Sequence, residues 1–68
     1  MPEIALTYRS KQRIKFSQEG QFGAVEVYQE SPRRFRFQEY GCVLLMEPHH
    51  VREIRDWLTE RLEDMDKE

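Results

Sequence analysis

Two stretches of this chain alternate cations with apolar or aromatic side chains: Arg13-Ile14-Lys15-Phe16 and Arg33-Arg34-Phe35-Arg36-Phe37. Successive side chains of a strand point to opposite faces, so the cations of each stretch fall on one face and the apolar groups on the other. If Arg13 and Lys15 share a face with Arg34 and Arg36, that face is a basic surface suited to tracking phosphates. Exposed rings at Tyr8, Phe22, Tyr28 or Tyr40 would then stack on unpaired bases, each stack contributing about 1–3 kcal/mol. The plainer reading of the same pattern is an ordinary half-buried sheet, with rings turned inward and charges in water.

Other residue types that carry chemistry lack the company they need. His49 and His50 are neighbours, and adjacent helical residues point about 100° apart, which disfavours one metal shared between them and suggests two surface histidines. Cys42 sits in the apolar run Cys42-Val43-Leu44-Leu45-Met46 with no adjacent base, the setting of a buried thiol rather than a nucleophile. Cys42, His49 and His50 do not have the paired spacing of a zinc site. Glu19, Glu26, Glu30 and Glu39 show no acid–base spacing, and no glycine-rich phosphate loop is present. The expectation is a protein that is not an enzyme and needs no cofactor.

The elements that must position these residues are legible from periodicity. Ile4, Leu6, Tyr8, Ile14 and Phe16 are all even-numbered, with a polar break at Arg9 to Arg13, which predicts strands near residues 3–9 and 12–17. Ser17 to Gln21 reads as a turn, with Gly20 free to take positive φ. Phe22 to Gln29 reads as a third strand, with Val25 and Val27 on one face and Ala24, Glu26 and Tyr28 on the other. Pro32 marks the next turn. Arg34 to Phe37 alternates again, and Cys42 to Met46 reads as a strand buried on both faces or as a continuation of the Phe35 strand past a bulge at Gly41.

A helix over residues 48–65 closes the chain. Val51, Ile54, Leu58, Leu62 and Met65 recur at spacings of 3, 4, 4 and 3, an arc of roughly 80° suited to lying on a sheet. Pro48 fits the first helical position, where its missing N–H costs nothing. Trp57 lies about 60° beyond the stripe, placed to seal the core or to face a partner; it and Arg61 are the residues expected at a partner or dimer contact. Glu60, Glu63, Asp64, Asp66 and Glu68 crowd the helix C-terminus against the dipole. That pattern fits a solvated tail or a basic neighbour, on the sheet or on another subunit.

Composition sets the scale. Sixty-eight residues with 35% charged and 38% hydrophobic side chains make one foldable domain, residues 1–68, and exclude a disordered chain. So short a chain is marginally stable by itself, and a lone cysteine provides no disulfide, so self-association is the economical source of further burial. The lone cysteine and the absence of a leader pattern suggest the cytosol, and no apolar run is long enough to span a membrane. The net charge of −2 conceals an asymmetry. Residues 1–40 carry seven basic and five acidic side chains; residues 41–68 carry four and eight.

Three stretches together resemble the positive-cofactor-four family of single-stranded-DNA-binding transcriptional coactivators and its short bacterial and phage relatives. Ser10 to Ser17 is similar to that family's basic first strand. Gly20 to Tyr28 is similar to its second strand and the preceding turn. Gly41 to Pro48, with the apolar residues at 51, 54 and 58, is similar to its glycine, last strand, proline and terminal helix. The chain departs from the family at His50 and Val51, where an aromatic is usual, and at Tyr40, where a lysine is usual. The resemblance implies a homodimer whose curved sheets bind unpaired strands, with Lys11, Arg13 and Lys15 at the basic-strand positions; Arg34 and Arg36 are added from their charge alone.

The expectation is thus an α+β domain: a small twisted antiparallel sheet of four to five strands, with the C-terminal helix packed on one face. The expected function is single-stranded DNA or RNA binding in transcription or replication. Lys11, Arg13, Lys15, Arg34 and Arg36 would lie on phosphates, and Tyr8, Phe22 and Tyr28 under bases. The alternative, favoured by the net negative charge, is a small adaptor or inhibitor, of a kind phages direct at host proteins, working through the acidic helix or a sheet edge.

Overall fold

A computed structural model describes residues 4–18, 23–41 and 44–67. The chain is α+β: strands β1 (Ile4–Arg9), β2 (Arg13–Gln18), β3 (Gly23–Ser31) and β4 (Arg34–Gly41) precede one helix, α1 (Pro48–Asp66). The strands form a single antiparallel sheet in the order β1-β2-β3-β4.

Alternation assigns the two faces. Ile14 pairs with Val27 and Val27 with Phe37; Leu6 pairs with Phe16 and Phe16 with Val25. This is the face that α1 covers, because Ile14, Phe16, Val27 and Trp57 form the buried core, with Ile4, Val25, Phe35, Met46, Ile54 and Leu58 packed around it. The Trp57 ring meets Phe35 edge-on at 6.2 Å between centroids. Its indole N–H donates to the Ser10 carbonyl at 2.7 Å, so the one polar atom of the largest core side chain is satisfied.

The end of the β1–β2 hairpin is tied in the same way. The Ser10 hydroxyl accepts from the backbone N–H groups of Gln12 and Arg13 at 3.1 and 3.2 Å. Arg61 of the helix donates to the Lys11 carbonyl at 3.3 Å and pairs with Asp64 at 3.0 Å.

Four expectations are corrected. First, the buried face of the helix is centred roughly 80° from the predicted stripe: the residues it buries are His50, Trp57 and Arg61, whereas Val51 and Leu62 are 54% and 52% exposed. Trp57 and Arg61 therefore hold the fold together rather than face a partner. Second, His50 is no surface histidine. Its Nδ1 accepts from the Glu47 N–H and its Nε2 reaches the Ile4 carbonyl, both at 3.1 Å, and with Glu47 it forms a capping box at the helix start. The His49 and His50 rings lie 4.0 Å apart, but both His50 nitrogens are committed to the backbone and none is left for a metal.

Third, residues 44–47 form no strand. The chain leaves β4 at Gly41, whose φ of 70° needs a residue without a Cβ, and Leu45 is 79% exposed. Among the described residues the sheet has four strands. Fourth, Lys11 lies not in a strand but in the bend between β1 and β2, exposed. Glu19 to Phe22, Cys42 and Val43 lie outside the described residues, and with them the expected turn at Gly20, the Phe22 ring and the Cys42 thiol.

Candidate nucleic-acid interface

The face of the sheet away from the helix gathers the cations. Arg13 pairs across with Tyr28, and Tyr28 with Arg36; Lys15 lies between Tyr8 and Glu26, and Glu26 opposite Gln38; Ser17 faces Ala24, and Ala24 faces Tyr40. Arg34, paired with Ser31, follows the same alternation. The four strand cations singled out by charge, Arg13, Lys15, Arg34 and Arg36, therefore share one face that no helix covers. Lys11 does not join them: it lies in the hairpin bend, where its carbonyl accepts from Arg61 of the helix.

Tyr8 reaches this face because of a local irregularity. The pairing of β1 with β2 shifts register between Leu6 and Tyr8. The extra residue, Thr7, turns Tyr8 from the helix side, where Ile4 and Leu6 point, to the open side. Thr7 is pinned by a hydroxyl–hydroxyl contact with Ser17. The same shift sends Arg9 to the helix side, where it pairs with Glu53 at 3.6 Å and Glu60 at 3.0 Å. Part of the helix's acidity thus meets a basic side chain of its own sheet.

On the open face, cations and rings are in direct contact. The Arg13 guanidinium lies over the Tyr8 ring, 4.6 Å from its centroid, and the Lys15 ammonium lies 5.9 Å from that of Tyr40. The Tyr40 hydroxyl donates to Gln38. Arg36 pairs with Glu30, the unpaired residue at the register shift near the end of β3. Tyr8 and Tyr40 are 45% and 39% exposed, and Tyr28 is half-buried.

At the centre sits a residue that reasoning from charge alone passed over. The Glu26 side chain is only 8% exposed and lies 3.4 Å from Arg13. It stands directly opposite both Lys15 and Gln38. Its position on this face was readable from alternation, but its burial and its pairing with Arg13 were not. Tyr40 and Gln38 likewise belong to this surface.

Among the described residues, no three His, Cys, Asp or Glu side chains gather as a metal ligand set, and no helix is long and apolar enough to cross a membrane. The chain matches no family model, no curated protein and no solved structure.

Proposed function

We propose that this protein binds single-stranded nucleic acid on the open face of its sheet, without catalysing a reaction, as an accessory factor in transcription or replication in the cytosol. The observation that carries the reading is the sharing of one uncovered face by Arg13, Lys15, Arg34 and Arg36, interleaved with Tyr8, Tyr28 and Tyr40. Cations spaced along a strand suit a phosphate backbone, and exposed rings between them suit unpaired bases, which have π-faces free to stack. A duplex hides those π-faces, so the site favours single strands. The resemblance of residues 10–65 to the positive-cofactor-four family points the same way. The test is fluorescence anisotropy with a labelled single-stranded oligonucleotide at low salt, with DNA, RNA and duplex arms. Single strands are retained and released as salt rises; absence of retention at low salt refutes the reading.

A second surface favours protein contact, and the partner we propose for it is a second copy of this chain. Phe37 and Leu45, 66% and 79% exposed, accompany Val51 and Leu62 as large exposed apolar side chains. On the helix, Val51 and Leu62 lie on one flank, turned away from the flank of Glu53 and Glu60 that meets Arg9. The outer helix surface is basic at Arg52 and Arg55 and acidic at Glu63 and Asp66. Two helices laid antiparallel along this flank bring basic half to acidic half and oppose their dipoles. The radius of gyration, 12.6 Å, exceeds the ~11 Å of a compact chain of this length, which fits a protomer with apolar surface still to bury. Sedimentation then gives twice the 8.3 kDa protomer mass; a strictly monomeric species at all concentrations contradicts the dimer.

A further inference from the structure

We infer that Arg13 is a stacking platform for a base rather than a phosphate ligand, and that buried Glu26 is the residue that positions it. The inference rests on the proposed strand-binding reading and divides its cations into two kinds. Three observations converge on Arg13. Its guanidinium lies over the Tyr8 ring at 4.6 Å. Its charge is met by Glu26 at 3.4 Å, a carboxylate with only 8% of its side chain exposed. Yet 40% of the Arg13 side chain is itself exposed.

A guanidinium resting on a ring presents a planar π-surface outward, and unpaired bases stack on arginine planes as they do on aromatic rings. Tyr8, Arg13 and a base then form one column. Glu26 is well placed to hold the plane. It stands at the middle of the face, shielded from water, so its attraction to Arg13 is screened less than that of an exposed pair. Arg13 brings little uncompensated charge to a phosphate, because moving it there strands a buried carboxylate.

Arg36 makes the opposite case. Its partner, Glu30, is 45% exposed near the end of β3, where water solvates the carboxylate once the arginine leaves. Arg36 is therefore free to exchange Glu30 for a phosphate, while Arg13 is not free to exchange Glu26.

The test uses the full chain, a labelled single-stranded oligonucleotide and two substitutions with the same change of charge. Glu30→Gln removes the carboxylate that competes with phosphate for Arg36 and tightens binding. Glu26→Gln adds the same unit of charge but loosens the platform, and it weakens binding. If Glu26→Gln tightens binding as Glu30→Gln does, Glu26 merely restrains a phosphate ligand and the inference falls.

Arg13→Lys, a conservative change at a partly exposed side chain, keeps the fold testable should Glu26→Gln fail to fold. It retains the charge but has no plane, so the Kd rises about tenfold with the salt slope unchanged. An unaltered Kd for Arg13→Lys, or an Arg13→Ala slope shallower by the ~0.7 that one phosphate contact contributes on a single strand, overturns the assignment. Absence of any oligonucleotide binding by the unaltered protein refutes the underlying reading instead, so the two failures are distinct.

Discussion

On the open face of the sheet, cations hold rings and carboxylates; on the helix side, they hold the fold together. Arg13 and Lys15 lie against Tyr8 and Tyr40, and Arg36 against the exposed carboxylate of Glu30. On the other side Arg61 is buried against the Lys11 carbonyl and Asp64, and Arg9 clasps Glu53 and Glu60. One residue type thus does two jobs, and the difference lies in what a partner would have to displace. On the helix side it would have to expose a backbone carbonyl or helix acids with intramolecular partners. On the open face it would have to displace contacts that are mostly at the surface, each worth little in water.

Substitutions break this contrast to different degrees. The largest effect is expected from Trp57→Ala, which removes the central core side chain and leaves the Ser10 carbonyl without its donor. Core truncations of this kind cost about 3–5 kcal/mol, enough to unfold so small a domain, and thermal melting followed by circular dichroism reads it. If Trp57 served a partner rather than the core, the monomer's melting would hardly move.

Next comes Leu62→Glu, on the exposed apolar flank. It leaves the protomer's stability within about 0.5 kcal/mol, as surface substitutions do, but places a charge in the proposed helix–helix contact. Sedimentation should shift from dimer to monomer while the melting of dilute protein stays unchanged. A smaller effect follows Lys15→Ala and Arg36→Ala. Each lowers the salt slope of oligonucleotide binding by about 0.7 without altering the fold. The smallest is Arg9→Ala, which loses two half-exposed ion pairs and costs less than about 1 kcal/mol, a cost that vanishes in high salt. A cost of several kcal/mol that persists in salt would mean that Arg9 belongs to the core.

Much of this architecture is legible in the residues. Alternation placed Val25 and Val27 on one face and Ala24, Glu26 and Tyr28 on the other, and Pro48 marked the helix start. What escaped followed from polar groups behaving as core. His50 and Arg61 are buried with side-chain nitrogens bonded to the backbone carbonyls of Ile4 and Lys11, while the more hydrophobic Val51 and Leu62 stay outside. A stripe drawn from hydropathy alone is therefore centred beside the buried face: its Ile54 and Leu58 pack on the core, and its Val51 and Leu62 do not. The bulge at Thr7 escaped too. No glycine announces it, yet it decides that Tyr8 joins the basic face. The apolar run ending at Met46 looked like a strand, but its described part, residues 44–46, forms none.

The central claim is that one face of this sheet, and not the helix, meets the nucleic acid. The most direct test is the salt dependence of single-stranded oligonucleotide binding in two charge-matched double variants: Lys15→Ala with Arg36→Ala on the open face, and Arg52→Ala with Arg55→Ala on the helix. Three phosphate contacts, by Lys15, Arg34 and Arg36, give the unaltered protein a slope of log K against log salt near −2. The open-face pair should bring it to about −0.7, and the helix pair should leave it unchanged. Equal loss of slope in both variants, or loss only in the helix pair, would contradict the account.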